Sequence, residues 1–208
     1  YSEIKSRQNI KLHTMLTRRY GLLNPLVASP MDTVCEFEMA YKMAEYGGVG
    51  CIHRFMSIQQ QTKIVERLHQ GIYGEGFGGG IAEHWGVMFD DWHAEIKMVP
   101  IMAAIGVQSE DRVRAKELVK AGANVLLIDV AHGHHKNVID MVKWCKEQPE
   151  FVDVDIIAGN IATAEAAIDL ENAGADGLRV GIGGGSLCTT RIKTGFGVPN
   201  VTSLEDVV

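Results

Sequence analysis

Six short apolar runs alternate with longer stretches of helical period along this 208-residue chain, and that alternation constrains the fold more than any other feature. "PLVASPM" (25–31), "GVGCIH" (48–53), "PIMAAIG" (100–106), "VLLIDVA" (125–131), "DIIAGN" (155–160) and "GLRVGI" (177–182) read as strands. Helices are expected over 36–47, 57–70, 109–122, 135–148 and 163–174, the second capped by Ser57. βα units in series imply a parallel sheet with helices outside it. "LVKAGANVLLID" and "LENAGADGLRVG" look like one unit used twice, each helix ending on Ala-Gly-Ala with glycine suited to a left-handed cap. Such repetition suits a (β/α)8 TIM barrel of which about six βα units are present. A doubly wound sheet would also show it.

A closed barrel needs eight strands and typically about 250 residues. The chain stops at "VTSLEDVV", early in what should be the sixth helix, so strands seven and eight are expected to be missing from a single barrel domain over 1–208. Between strands two and three, "GIYGEGFGGGIAEHWGVMFDDWH" (71–93) breaks the pattern with glycines and aromatics. It reads as an insertion or a mobile loop, or else as a plain linker.

The net charge of −6 argues against a broad grip on nucleic acid but leaves room for a small phosphorylated ligand. No apolar run reaches the ~18–20 residues of a membrane span. "YSEIKSRQNIKL" lacks the apolar core of a signal peptide, and the absence of an initiating Met predicts a processed, trimmed or missing start. Cys35, Cys51, Cys145 and Cys188 form no CxxC pair, so a disulfide framework is not expected and a reducing cytoplasm fits best. Cys51 and Cys145 sit in strand and helix patterns and read as packing residues, as does Cys35 at a strand-to-helix junction.

Cys188 differs because its neighbours are Gly, Ser and Thr. In "GIGGGSLCTTR" (181–191), Gly181, Gly183, Gly184 and Gly185 let the backbone turn tightly and aim N–H groups at an anion, with Ser186 adding a hydroxyl. A thiol there, near Arg191 and Lys193, can be pushed toward thiolate and become nucleophilic, with Thr190 positioned to hydrogen-bond a leaving group or water. In a barrel, functional groups follow the strand ends. At those ends stand "SPMDT", "HRF", "DVAHGHH", "AGN" and this glycine turn. "HGHH" (132–135) also allows a zinc hydrolase, with His53 and Asp129 as further ligands.

"PLVASPMDTV", "GGVGCIHRF", "IDVAHGHH", "IIAGNIAT" and "RVGIGGGSLCTTRIKTGFGVP", in this order, resemble the IMP dehydrogenase and GMP reductase family. The resemblance implies a barrel that binds a purine mononucleotide (IMP, GMP or XMP), with NAD or NADPH as cofactor. It implies that Cys188 attacks the purine C2 to form a covalent intermediate and that Thr190 acts beside it. Ser29 and Met31 would line the nucleotide site, Asn160 would sit near the base, and Gly183 and Ser186 would hold the phosphate region. Asp129 and Gly133 would face the nicotinamide. Carbonyls around Gly183, Gly185 and Cys188 would hold a potassium ion, as in the dehydrogenases. Complete members resemble tetramers.

The branch leans to the reductase. Dehydrogenases usually carry a pair of CBS modules where this chain has only 71–93, and "IKTGFG" looks reductase-like, whereas "SPMDTV" and "GGVGCIH" look like the dehydrogenase. The family's second phosphate segment and its mobile flap are absent from the sequence, so the isolated chain is expected to turn over little or not at all. A non-catalytic nucleotide-binding half-barrel is the remaining alternative.

Overall fold

The computed structural model describes residues 3, 4, 6, 10–74, 81, 85, 99–186 and 188–208. A two-stranded antiparallel hairpin, β1 (Thr14–Met15) with β2 (Gly21–Leu22), precedes the main sheet. The strands β3 (Val27–Ala28), β4 (Val49–Ile52), β5 (Met102–Ile105), β6 (Val125–Asp129), β7 (Asp155–Ile161) and β8 (Gly177–Val180) then form one sheet in the order β3-β4-β5-β6-β7-β8. Every pairing in it is parallel. A doubly wound sheet reverses its strand order at a switch point. This one never does, so it is a sector of a (β/α)8 barrel.

Helices α1 (Phe37–Glu45), α2 (Ile58–Tyr73), α3 (Ser109–Lys120), α4 (Lys136–Lys146) and α5 (Ala164–Asn172) make the crossovers, and α6 (Thr189–Thr194) and α7 (Asn200–Val207) follow β8. Ser57 caps α2 as expected: its hydroxyl accepts from the Gln60 amide at 3.2 Å while the Gln60 side chain accepts from the Ser57 amide at 3.0 Å. Thr163 caps α5 and His135 caps α4 more simply, each side chain accepting from one backbone amide, that of Ala166 and that of Asn137. The repeated Ala-Gly-Ala units end alike, with Gly122 at φ +105° and Gly174 at φ +103°. Both lie in the region that a side chain disfavours, which is why glycine punctuates the repeat.

The core lies between sheet and helices. Ile101, Met102, Ile105, Leu126, Ile128 and Ile156 are almost wholly buried, as expected of parallel strands covered on both faces. Burial of this kind, at about 25 cal/mol per Å2 of apolar surface, is the main stabilising term.

Five of the six strands, all but β7, are shorter than their patterns suggest, and β3 and β8 show why. β3 keeps only Val27–Ala28 of 25–31, because Pro25 and Pro30 bracket it and neither can donate to a ladder. β8 ends at Val180 rather than 182, where Gly181 turns to φ +123°. The hairpin was not foreshadowed in the sequence. Its loop ties to the start of β7: the fully buried Asp155 accepts from the Thr17 hydroxyl and Arg19 Nε, both at 2.6 Å.

Of the 71–93 segment, α2 takes residues through Tyr73, and Trp85 is buried with its indole N–H donating to the Ala44 carbonyl at 2.9 Å. Most of the rest lies outside the described residues. No helix among the described residues is long and apolar enough to cross a membrane.

Candidate active site

The C-terminal ends of the strands converge on an open cleft of about 400 Å3, within the usual range of small-molecule sites. Six of the residues picked out from sequence line it: Met31 after β3, Asp129 at the end of β6, Asn160 on β7, and Gly183, Cys188 and Thr190 after β8. Ser29 lines an adjoining hollow of about 210 Å3 that shares Pro30 and Arg179 with the cleft. Gly133 is buried behind the wall, its amide donating to the Asn160 carbonyl at 2.6 Å. Gly185 and Ser186 are exposed beside the cleft and do not line it. Another cavity, about 440 Å3, includes residues that precede β6 and β7 and so opens at the opposite end of the strands. It holds none of the expected groups.

Asn160 is held from both sides. Its side-chain amide donates to the Gly181 carbonyl at 2.9 Å, and its backbone amide donates to Val130 at 3.1 Å. That ties the ends of β6, β7 and β8 into one rim.

Cys188 stands as the N-cap of α6, half-buried, with its amide donating to the Gly185 carbonyl at 3.1 Å. Its thiol is lowered from the ordinary range, first by the Thr190 hydroxyl, then by the Thr190 amide, with the Arg191 amide and charge adding to them. The other three thiols go the opposite way. Burial pushes Cys35 and Cys145 up to about 12 and Cys51 well above its usual value. Cys188 alone has a nucleophile's surroundings.

Three arginines complete the site; from sequence only Arg191 was given a role, as a cation near the Cys188 thiol. Arg179 on β8 places Nη1 2.5 Å from Asp129 Oδ1. Arg54, just after β4, donates from Nη2 to the Asp129 carbonyl at 3.2 Å and lies 5.4 Å from the centre of the exposed Phe55 ring. Its Nε is buried and has no acceptor among the described residues. A buried donor without a partner is costly, so this one fits a ligand that brings an acceptor. Arg191 on α6 donates from Nη1 to the carbonyls of Gly183 at 2.7 Å and Gly185 at 3.1 Å. These are two of the three carbonyls expected to face potassium. With a guanidinium nitrogen between them, the arrangement does not fit that ion. The signal for Arg179 was a cation inside the apolar run "GLRVGI", and for Arg54 the "HRF" at a strand end.

The histidines have local duties. Buried His53 donates from Nε2 toward Glu36 at 3.1 Å while Nδ1 accepts from the Phe55 amide at 3.1 Å. His134 pairs with Asp169 at 2.8 Å, and His135 Nδ1 accepts from the Asn137 amide. Among the described residues no group of three or more His, Cys, Asp or Glu side chains could hold a metal ion.

A family model described as "IMP dehydrogenase / GMP reductase domain" matches residues 1–208. An inosine-5'-monophosphate dehydrogenase of Borreliella burgdorferi is 37% identical, over 95% of this chain and 54% of that protein. A GMP reductase of Leishmania donovani is 32% identical, over 99% of this chain and 63% of that protein. The chain thus spans little more than half the length of these relatives. The crystal structure of a GMP reductase variant from Trypanosoma brucei superposes with a TM-score of 0.83 at 29% identity, over 100% of this chain and 71% of that one.

Proposed function

Because the chain belongs to the IMP dehydrogenase / GMP reductase family, we propose that it is the nucleophile-bearing part of an NAD(P)-dependent purine-nucleotide oxidoreductase, acting as a GMP reductase. The observation that carries this is the convergence of Cys188, Thr190, Asn160 and Met31 on one cleft, with Cys188 alone activated among four thiols.

The Cys188 thiolate adds to C2 of the guanine ring, the S–C2 bond forms, and the exocyclic amine leaves as ammonia. Thr190, whose hydroxyl donates toward the thiolate before attack, is placed to steer the proton that the leaving amine requires. Asn160, fixed by Gly181, orients the base, and Met31 packs against it. The Gly183 turn and Ser186 take the phosphate end. Asp129, steadied by Arg179, and Arg54 with its unpaired Nε fit the nicotinamide cofactor, which when bound supplies the hydride that C2 gains as the C2–S bond breaks.

The dehydrogenase is the second reading. An inosine-5'-monophosphate dehydrogenase of Staphylococcus aureus is 52% identical over 106 residues, which favours it for that half of the chain. The same thiolate would then add to C2 of IMP, the C2 hydrogen would leave as hydride to NAD, and water would hydrolyse the S–C2 bond to release XMP and free the thiol.

The strands β3 and β8 are the two sheet edges, and in the complete protein they would pair with the remaining barrel strands. We place that protein in the cytoplasm, as a homotetramer. The test is absorbance in the reduced-nicotinamide band of the complete protein. GMP with NADPH lowers it if the reductase reading holds, IMP with NAD raises it if the dehydrogenase reading holds, and Cys188→Ser abolishes either. No change with either pair overturns both.

A further inference from the structure

Arg191 points back from α6 into the glycine turn that precedes it. Its Nη1 donates to Gly183 and Gly185, two carbonyls one residue apart that face the same point. Converging carbonyl dipoles repel one another, and a cation between them removes that cost. The single nitrogen has two N–H groups and satisfies one oxygen with each.

The approach is built into the chain. A Cβ on Gly183 would stand 3.1 Å from Arg191 Cβ, and one on Gly197 only 2.9 Å, so two glycines clear a slot for the arginine stem. Gly183 holds φ +71°, which aims its carbonyl as required. The other end of the residue is fixed as well, since the Arg191 carbonyl accepts from the Gly195 amide at 3.0 Å. Gly185 in turn accepts from the Cys188 amide at 3.1 Å, so the loop that Arg191 gathers is the loop that presents the thiol.

We propose that Arg191 is a positioning residue whose guanidinium serves as a built-in cation, ordering the Gly183–Cys188 turn without a free monovalent ion. The inference rests on Cys188 being the reactive thiol of the reading above. A covalently tethered cation needs no ion concentration to fill its place, and a planar guanidinium with fixed N–H directions suits it better than an ammonium.

The test follows alkylation of Cys188 by iodoacetamide in the complete protein, at constant ionic strength, with potassium exchanged for tetramethylammonium. The wild-type rate stays flat. In Arg191→Gln the rate in tetramethylammonium falls by about threefold or more, and potassium or low-millimolar guanidinium restores it. A wild-type rate that itself rises about threefold with potassium overturns the inference, as does an Arg191→Gln variant that behaves like wild type. Should that variant fail to fold, the wild-type potassium titration decides alone. Failure of the parent reading looks different: Cys188 would then label no faster than the other thiols in any salt.

Discussion

Arg179 reaches across Gly159 to set its Nη1 2.5 Å from Asp129 Oδ1. The three residues are in register on three successive strands, Asp129 opposite Gly159 and Gly159 opposite Arg179. The middle strand carries no side chain at that level, and the flanking pair closes over the gap. The ion pair forms part of the floor beneath the cysteine cleft, since both partners line it.

A Cβ on Gly159 would stand 2.5 Å from the Arg179 carbonyl oxygen and 2.7 Å from Arg179 Cβ. Backbone cannot yield as a flexible side chain can. Gly159→Ala is therefore expected to destabilise the fold by about 2 kcal/mol through overpacking. A lower urea midpoint at unchanged slope checks it.

The thiols should separate by pH. Cys188 is lowered by the Thr190 hydroxyl and neighbouring amides, so its thiolate forms earlier than that of an ordinary cysteine as pH rises. Cys35 and Cys145, pushed by burial to about 12, remain neutral across the same range. Mass-resolved alkylation of the native protein near neutral pH should label Cys188 first, and its rate should level off at a lower pH than that of a free cysteine peptide. Equal labelling of all four thiols would contradict the assignment.

Thr190→Val removes the largest contribution to that shift while keeping the shape of the side chain. The alkylation midpoint should move up, slowing labelling at neutral pH by up to about tenfold, one pKa unit being tenfold in thiolate fraction. Thr190→Ser should keep most of the rate. An unchanged midpoint in the valine variant would show that the hydroxyl does not reach the sulfur.

Asp155 gathers Thr17 and Arg19 from the N-terminal hairpin onto β7 and is fully buried. Asp155→Ala strands the buried Thr17 hydroxyl and frees the hairpin, at an expected cost of about 3 kcal/mol. Thermal or urea unfolding measures it. Because Arg19 and Tyr20 of the hairpin loop line the cavity at the opposite end of the strands, Cys188 alkylation in the folded variant should stay near the wild-type rate.

What the sequence revealed was whatever repeats locally. The Ala-Gly-Ala punctuation announced the matching turns at Gly122 and Gly174. Ser57 announced the start of α2, and the positions of Cys188 and Asn160 after apolar runs placed both at the strand ends. What stayed hidden depends on alignment in space. The hairpin strands have two residues each, too few to show a period. The Asp129–Gly159–Arg179 row is a matter of register between strands that are distant in the chain. Arg191 reads as one more cation near a thiol until its backward reach to Gly183 and Gly185 is seen.

The central claim is that Cys188 sits in a purine-nucleotide site, and the rate of Cys188 alkylation with and without GMP or IMP tests it most directly. The account predicts that either nucleotide slows labelling of Cys188 in the complete protein, while adenosine monophosphate, lacking the oxygen at C6, protects far less. Labelling that proceeds at the same rate with saturating GMP or IMP would contradict it.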